Sequence, residues 1–345
     1  MIDYKEFLKN YEGEPVRLME VCGTHTAEIS HNGITSLLSP SIRLISGPGC
    51  PVCVTVTAYI DRLTELALLP DHVVVSFGDL LRVKGSSQSL NDAKAMGGQV
   101  RMVYSPMDTL RLAAAEPSKT FVFAAVGFET TTPVYAMLLE EAREQGIRNI
   151  KLLTSLKTMP RVIDWVCGNQ GGIDGFIAPG HVSVITGSEI YRPLAEKYAI
   201  PFAVAGFQAE QLLLAIYALV RRRGRGDVMN LYPSLVTAEG NLTAQRKTEQ
   251  YFMTADASWR GMGTLPESGK VLRPEFAEYD AGSADLIEDH SANPSCRCAS
   301  VLTGAIGPRE CPLFGKVCNP QFPQGACMVS TEGSCYQYYI NRRES

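Results

Sequence analysis

The chain has 345 residues, 45% hydrophobic and 20% charged, with 36 acids against 32 bases for a net charge of −4. Such a length allows two or three domains with real cores, the composition excludes a mostly disordered protein, and the mild acidity argues against a protein built to grip nucleic acid or an anionic membrane. The longest apolar run, Leu212 to Val220, stops at Arg221 and is about half of the ~20 residues a membrane span needs. The N-terminus has no apolar signal core, so a cytoplasmic protein is expected.

In chain order, short apolar runs alternate with helical patterns. Strands are predicted over 17–21, 43–45, 72–76, 100–104, 120–126, 151–154, 175–178 and 202–205. Helices are predicted over 108–115, 133–145, 161–168, 188–198 and 208–223. Strands separated by helices of this length indicate βαβ units and parallel sheets. A strand-to-turn-to-helix entry occurs twice, at Val21-Cys22-Gly23-Thr24-His25 and at Val126-Gly127-Phe128-Glu129-Thr130-Thr131. The expected fold is therefore α/β, with two Rossmann-like lobes, residues 1–118 and 119–225, whose parallel sheets face a cleft. From about Gly226 the alternation fades and cysteines accumulate, so a third, C-terminal domain is expected over 226–345.

Ten cysteines in a chain expected in a reducing compartment suggest metal or redox chemistry rather than structural disulfides. In the tail, Cys296, Cys311, Cys318 and Cys335 follow a C-x14-C-x6-C-x16-C spacing, with Cys298 and Cys327 between them. Four thiolates among Gly and Pro turns suit a metal centre. Structural zinc is the ordinary alternative, but it usually draws on close cysteine pairs, and the wide spacing favours an iron–sulfur cube.

Cys50-Pro51-Val52-Cys53 follows Gly47-Pro48-Gly49 after a strand. It reads as a redox dithiol in which a helix start would favour the Cys50 thiolate; half of a metal site is the alternative. Cys22 sits at a strand-to-helix turn, where the helix N-terminus favours a thiolate and His25 is within reach of it or of its ligand. The bland alternative is a small buried residue. Glu129-Thr130-Thr131 and His181-Val182-Ser183 are polar groups at predicted strand ends, where open α/β sheets bind ligands; Thr131 or Thr132 before Pro133 equally fits a helix N-cap. Cys167 lies on an apolar helical stripe and reads as core.

Together these segments resemble one family over essentially the whole chain: the HypD hydrogenase maturation proteins. The resemblance rests on Met19-Glu20-Val21-Cys22-Gly23-Thr24-His25, Gly47-Pro48-Gly49-Cys50-Pro51-Val52-Cys53, Gly127-Phe128-Glu129-Thr130-Thr131, Pro179-Gly180-His181-Val182-Ser183, and the tail with Cys311-Pro312-Leu313-Phe314-Gly315 and Cys327-Met328-Val329-Ser330. Gln208 after Gly206-Phe207 departs from the glutamate expected there. The resemblance implies a role, with a HypC-like chaperone, in building an iron centre that carries two cyanides and one carbon monoxide. Cyanide would come from a HypE-like donor as a thiocyanate, made from a carbamoyl group supplied by a HypF-like protein. It implies that Cys22 is the iron ligand, Cys50 and Cys53 the redox pair, and Cys296, Cys311, Cys318 and Cys335 the ligands of a 4Fe–4S cluster. Thr24, His25, Glu129, Thr130, Thr131 and His181 are candidates for hydrogen bonds to the iron's ligands. A ferredoxin-driven thiol–disulfide reductase with such a cluster would leave Cys22 unused, and a zinc-stapled binding protein would explain the tail alone.

Overall fold

The computed structural model describes residues 3–290 and 293–341; Met1 and Ile2 of the N-terminal stretch lie outside the described residues. Eleven strands run in chain order as β1 Val16–Glu20, β2 Ile42–Ser46, β3 His72–Ser76, β4 Val100–Met102, β5 Thr120–Gly127, β6 Ile150–Lys157, β7 Gly175–Pro179, β8 Phe202–Ala205, β9 Val228–Asn230, β10 Phe252–Trp259 and β11 Gly263–Leu272. They form two sheets, ordered β2-β1-β7-β8-β9 and β10-β11-β6-β5-β3-β4. Every pairing in the first sheet is parallel, as are β4-β3-β5-β6 in the second. The fold is thus α/β with parallel-rich sheets, as the alternation of apolar runs and helices suggests. The central strand β5 is buried along nearly its whole length, which suits its unbroken apolar sequence in a sheet covered on both faces.

The sheets do not follow the consecutive segments 1–118, 119–225 and 226–345. The first sheet joins β1 and β2 to β7, β8 and β9, and the second takes everything between β3 and β6. Apolar periodicity marks a strand without naming its neighbour, so the chain's departure from the first sheet after β2 and its return at β7 leave no local trace. The stretch after Gly226 also divides: β9 extends the first sheet, and the β10–β11 hairpin pairs antiparallel with β6 at the edge of the second.

Each sheet carries apolar side chains on both faces. One face of the first sheet, including Met19, Val21, Ile45, Phe176 and Val204, shares a core with Phe128 from the end of β5, the helix Met159–Asn169, Trp259 and the tail residues Cys298, Val301, Cys318, Cys327 and Cys335. Cys167 packs against that core half-buried, as its apolar stripe implies. The tail therefore packs on the sheets rather than around a core of its own. Gly304 shows how closely: a Cβ there would lie 2.5 Å from the Met19 methyl. No helix is long and apolar enough to cross a membrane among the described residues.

Candidate functional site

The order β2-β1-β7-β8-β9 puts a topological switch point between β1 and β7, where crevices form beyond the carboxyl ends of parallel strands. Cys22 follows β1 and is the N-cap residue of the helix Gly23–His31; His181 follows β7 at the start of the helix Gly180–Thr186. The Gly47–Gly49 turn continues from β2, and Gly206-Phe207 from β8. Sequence reasoning placed Cys22 at a strand-to-helix turn, and it is there.

The Cys22 thiol is buried, and the backbone N–H groups of Thr24 and His25 face it. Those dipoles favour a thiolate, yet burial outweighs them, and the carboxyls of Glu20 and Glu332 add repulsion, so the thiol is pushed up to about 12. The helix start thus does not ionise Cys22 by itself; a bound cation would have to displace its proton. Glu20 stands two residues before Cys22 in the same motif. Its buried carboxylate accepts from the Cys22 N–H (3.0 Å) and from the Thr26 hydroxyl, and burial raises it to about 7.

Two distant stretches meet at Cys22. Gly49 presses directly on it: a Cβ there would lie 2.2 Å from the Cys22 nitrogen, and the Gly23 N–H donates to the Gly49 carbonyl (3.1 Å). Only a glycine permits that approach. The next residue, Cys50, is bonded to Cys53 in a disulfide, both nearly inaccessible. No helix begins at Cys50; residues 51–54 form a turn and the helix starts at Thr57, so the expected helix-start effect on Cys50 has no structural basis. From the tail, Glu332 lies against Gly23, where a Cβ would come 2.4 Å from its own Cβ. Cys53 Sγ lies 3.9 Å from the carbonyl of Ala326, the residue before Cys327.

A column of rings borders the crevice. Phe207 stacks on His181 at 4.0 Å and lies 4.9 Å from His25. His25 is fully buried, its Nε2 lies 3.1 Å from the Gly206 carbonyl, and its Nδ1 has no partner among the described residues. Burial, with His181 nearby, lowers its pKa to about 4, so the ring is neutral, donating from Nε2 and leaving Nδ1 as an acceptor. Thr24 is half-buried and His181 exposed.

Glu129 approaches from the second sheet. One carboxylate oxygen accepts from the Met159 N–H (2.8 Å), the other is buried without a partner among the described residues, and burial raises the group to about 7. Burial holds the Tyr191 hydroxyl protonated, and the neighbouring Glu129 and Cys22 add to the effect. Thr130 is half-buried in the turn after β5. Thr131 occupies the N-cap of the helix Thr132–Glu144, but its hydroxyl donates back to the Phe128 carbonyl (3.2 Å) and caps nothing.

In the tail all six cysteines share one neighbourhood. Cys327 lies beside Cys298 and Cys335, while Cys296 lies near Cys298, Cys311 and Cys318. A Cβ on Gly325 would lie 2.8 Å from the Cys296 sulfur and 3.2 Å from the Cys298 Cβ. Burial and mutual repulsion push the Cys296 thiol up to about 12 and raise Cys318. No group of three or more His, Cys, Asp or Glu is gathered tightly enough for a metal ion among the described residues. The convergence of buried sulfur donors nonetheless fits a thiolate-bound centre, since soft thiolates select iron–sulfur clusters and zinc.

Residues 3–342 match the model of the HypD family, described as the hydrogenase formation hypA family. The chain is 41% identical to the hydrogenase expression/formation protein HupD of Azotobacter chroococcum mcd 1, over 96% of this chain and 92% of that protein. It is 42% identical to the hydrogenase maturation factor HypD of Azotobacter vinelandii, over 95% and 90% of the two chains. It is 40% identical to the factor of that name from Escherichia coli (strain K12), over 96% and 90%.

Proposed function

The chain belongs to the HypD family of hydrogenase maturation factors, and on that premise we propose that it is a scaffold on which the iron of a NiFe-hydrogenase acquires two cyanides and one carbon monoxide. The iron is cargo. Cys22 supplies one thiolate from this chain, and a HypC-like chaperone supplies another. Low-spin iron carrying cyanide suits such soft donors. The observation that carries this reading is the packing of Gly49 on Cys22, which sets the Cys50–Cys53 pair beside the one buried thiol at the switch point.

Cyanide release from a HypE-like thiocyanate, R–S–C≡N, takes two electrons and one proton to give R–SH and CN⁻. Oxidation of the Cys50 and Cys53 thiols to their disulfide delivers two electrons and two protons, so one proton is left over. The neutral His25, with its free Nδ1, and Glu129, which burial raises to about 7 and which acts on the same Tyr191 as Cys22 does, are our candidates to take or give protons. Thr24, Thr130, Thr131 and His181 are the remaining candidates for hydrogen bonds to the iron's ligands.

Cys296, Cys311, Cys318 and Cys335 would hold a 4Fe–4S cluster, whose chemistry when bound is one-electron transfer. The tail's contact with Cys53 through Ala326 supports an exchange path between that centre and the dithiol. The reading is tested by infrared spectroscopy of this chain purified with a HypC-like chaperone from a maturation-competent host. Bands of metal-bound cyanide and carbon monoxide are expected; a spectrum without them, from protein with intact visible cluster absorption, would leave the thiol–disulfide reductase reading instead.

A further inference from the structure

Arg260, in the turn between β10 and β11, stands between the dithiol loop and the tail. Its backbone N–H donates to the Val54 carbonyl (2.8 Å) and its Nε to the Thr55 carbonyl (2.9 Å), so the residue is fixed to the segment just after Cys53. Its Nη1 faces Asp289 at 3.6 Å. The Nη2 is buried and has no partner among the described residues, although the residue is only 8% exposed. A buried guanidinium normally has its donors satisfied. One wall of a cavity of about 240 Å³ is formed by this side chain, with Arg82, Lys84, Asp289, Cys296 and Cys298. Three cations therefore meet one carboxylate beside two tail sulfurs. Arg260 also bears on the buried Lys157, whose Nζ donates to the Ser155 hydroxyl (2.8 Å) and whose pKa burial, with Arg260 nearby, lowers to about 7. The buried, unpartnered Nη2 is a donor available to an acceptor in the cavity, and Arg260 already acts on Cys298 in the direction that favours a thiolate.

We propose that Arg260 tunes the tail's sulfur centre: its Nη2 donates a hydrogen bond to a sulfur of the thiolate-bound cluster while its Nε stays on the Thr55 carbonyl. This rests on the cluster reading given above. A cation bonded to sulfur stabilises the more negative, reduced state, so the potential is raised. One planar guanidinium then spans the dithiol loop and the cluster, a geometry that lysine cannot reproduce.

The test is an anaerobic redox titration of the full chain, followed by its visible absorption, for the wild type, Arg260→Gln and Arg260→Lys. Glutamine removes the charge and should shift the reduction equilibrium at least about tenfold toward the oxidised cluster, or 59 mV for one electron. Lysine keeps the charge but not the fork, and should fall between the two. A glutamine variant with full cluster absorption and the wild-type potential overturns the proposal. If the glutamine chain does not fold, the lysine variant decides, and a potential equal to wild type overturns it. A wild-type protein with no reducible visible chromophore would instead overturn the cluster reading itself.

Discussion

Two buried thiol sites lie close together in this chain and are built in opposite ways. Cys22 is a single thiol between a strand and a helix, facing backbone N–H groups and flanked by the carboxyls of Glu20 and Glu332. The tail offers six thiols on short helices and turns, with cations as neighbours in the adjoining cavity. Regular elements fix the first geometry before any metal arrives. The second has little regular structure, and a metal bound to its mutually repelling, buried thiols would contribute directly to folding. On the reading proposed above, the difference would suit Cys22 to a cargo that comes and goes and the tail to a resident centre.

The largest effect that would sharpen this contrast is in the tail. Cys311→Ala or Cys318→Ala should abolish the visible cluster absorption and cost several kcal/mol of folded-state free energy, read from anaerobic thermal melts. Cys327→Ala should keep the absorption. If Cys327→Ala bleaches the protein and Cys296→Ala does not, the ligand set changes and the two sites remain distinct.

Next in size is the dithiol that links them. Cys50→Ser and Cys53→Ser should each abolish hydrogenase maturation in a strain carrying the variant, because serine keeps the volume and loses the redox couple. Both proteins should retain the visible absorption, even though Cys53 touches the carbonyl beside Cys327. Normal maturation with both variants would make the pair structural.

The smallest effect is electrostatic and belongs to Glu129 alone. Glu129 is held up at about 7 by burial against an ordinary value of 4.5, so the folded chain keeps a proton there that the unfolded chain has lost. Its stabilising contribution is full below about pH 4.5 and is lost as pH rises through 7. Glu129→Gln keeps an acceptor for the Met159 N–H and removes the titration. Urea unfolding at pH 5 and pH 8 should show the wild type losing up to about 3 kcal/mol relative to the variant between the two. Parallel pH profiles would mean that the carboxyl is ordinary.

Much of this was legible in the sequence. All eight strands expected from apolar runs are present within a few residues, because buried parallel strands write themselves as continuous Val, Ile, Leu and Phe. The β10–β11 hairpin was not legible: Met253-Thr254-Ala255-Asp256 carries no apolar run and lies half in solvent at a sheet edge. Strand order was hidden for the reason that periodicity is local while pairing is not. At the site, cysteine spacing pointed to Cys22, Cys50, Cys53 and the tail. Glu20, Tyr191, Arg260 and Glu332 gave no such signal, since each reads as an ordinary residue until burial and an unexpected neighbour give it meaning. A lone glutamate in strand β1 is distinguished only by being 2% exposed beside Cys22.

The central claim is that Cys22 holds the cargo iron while the tail holds something else. It is tested most directly by purifying Cys22→Ala with the HypC-like chaperone and recording infrared and visible spectra on the same sample. Loss of the cyanide and carbon monoxide bands, with the visible absorption of the tail unchanged, is the predicted result. Full cyanide and carbon monoxide bands in the alanine variant would contradict it.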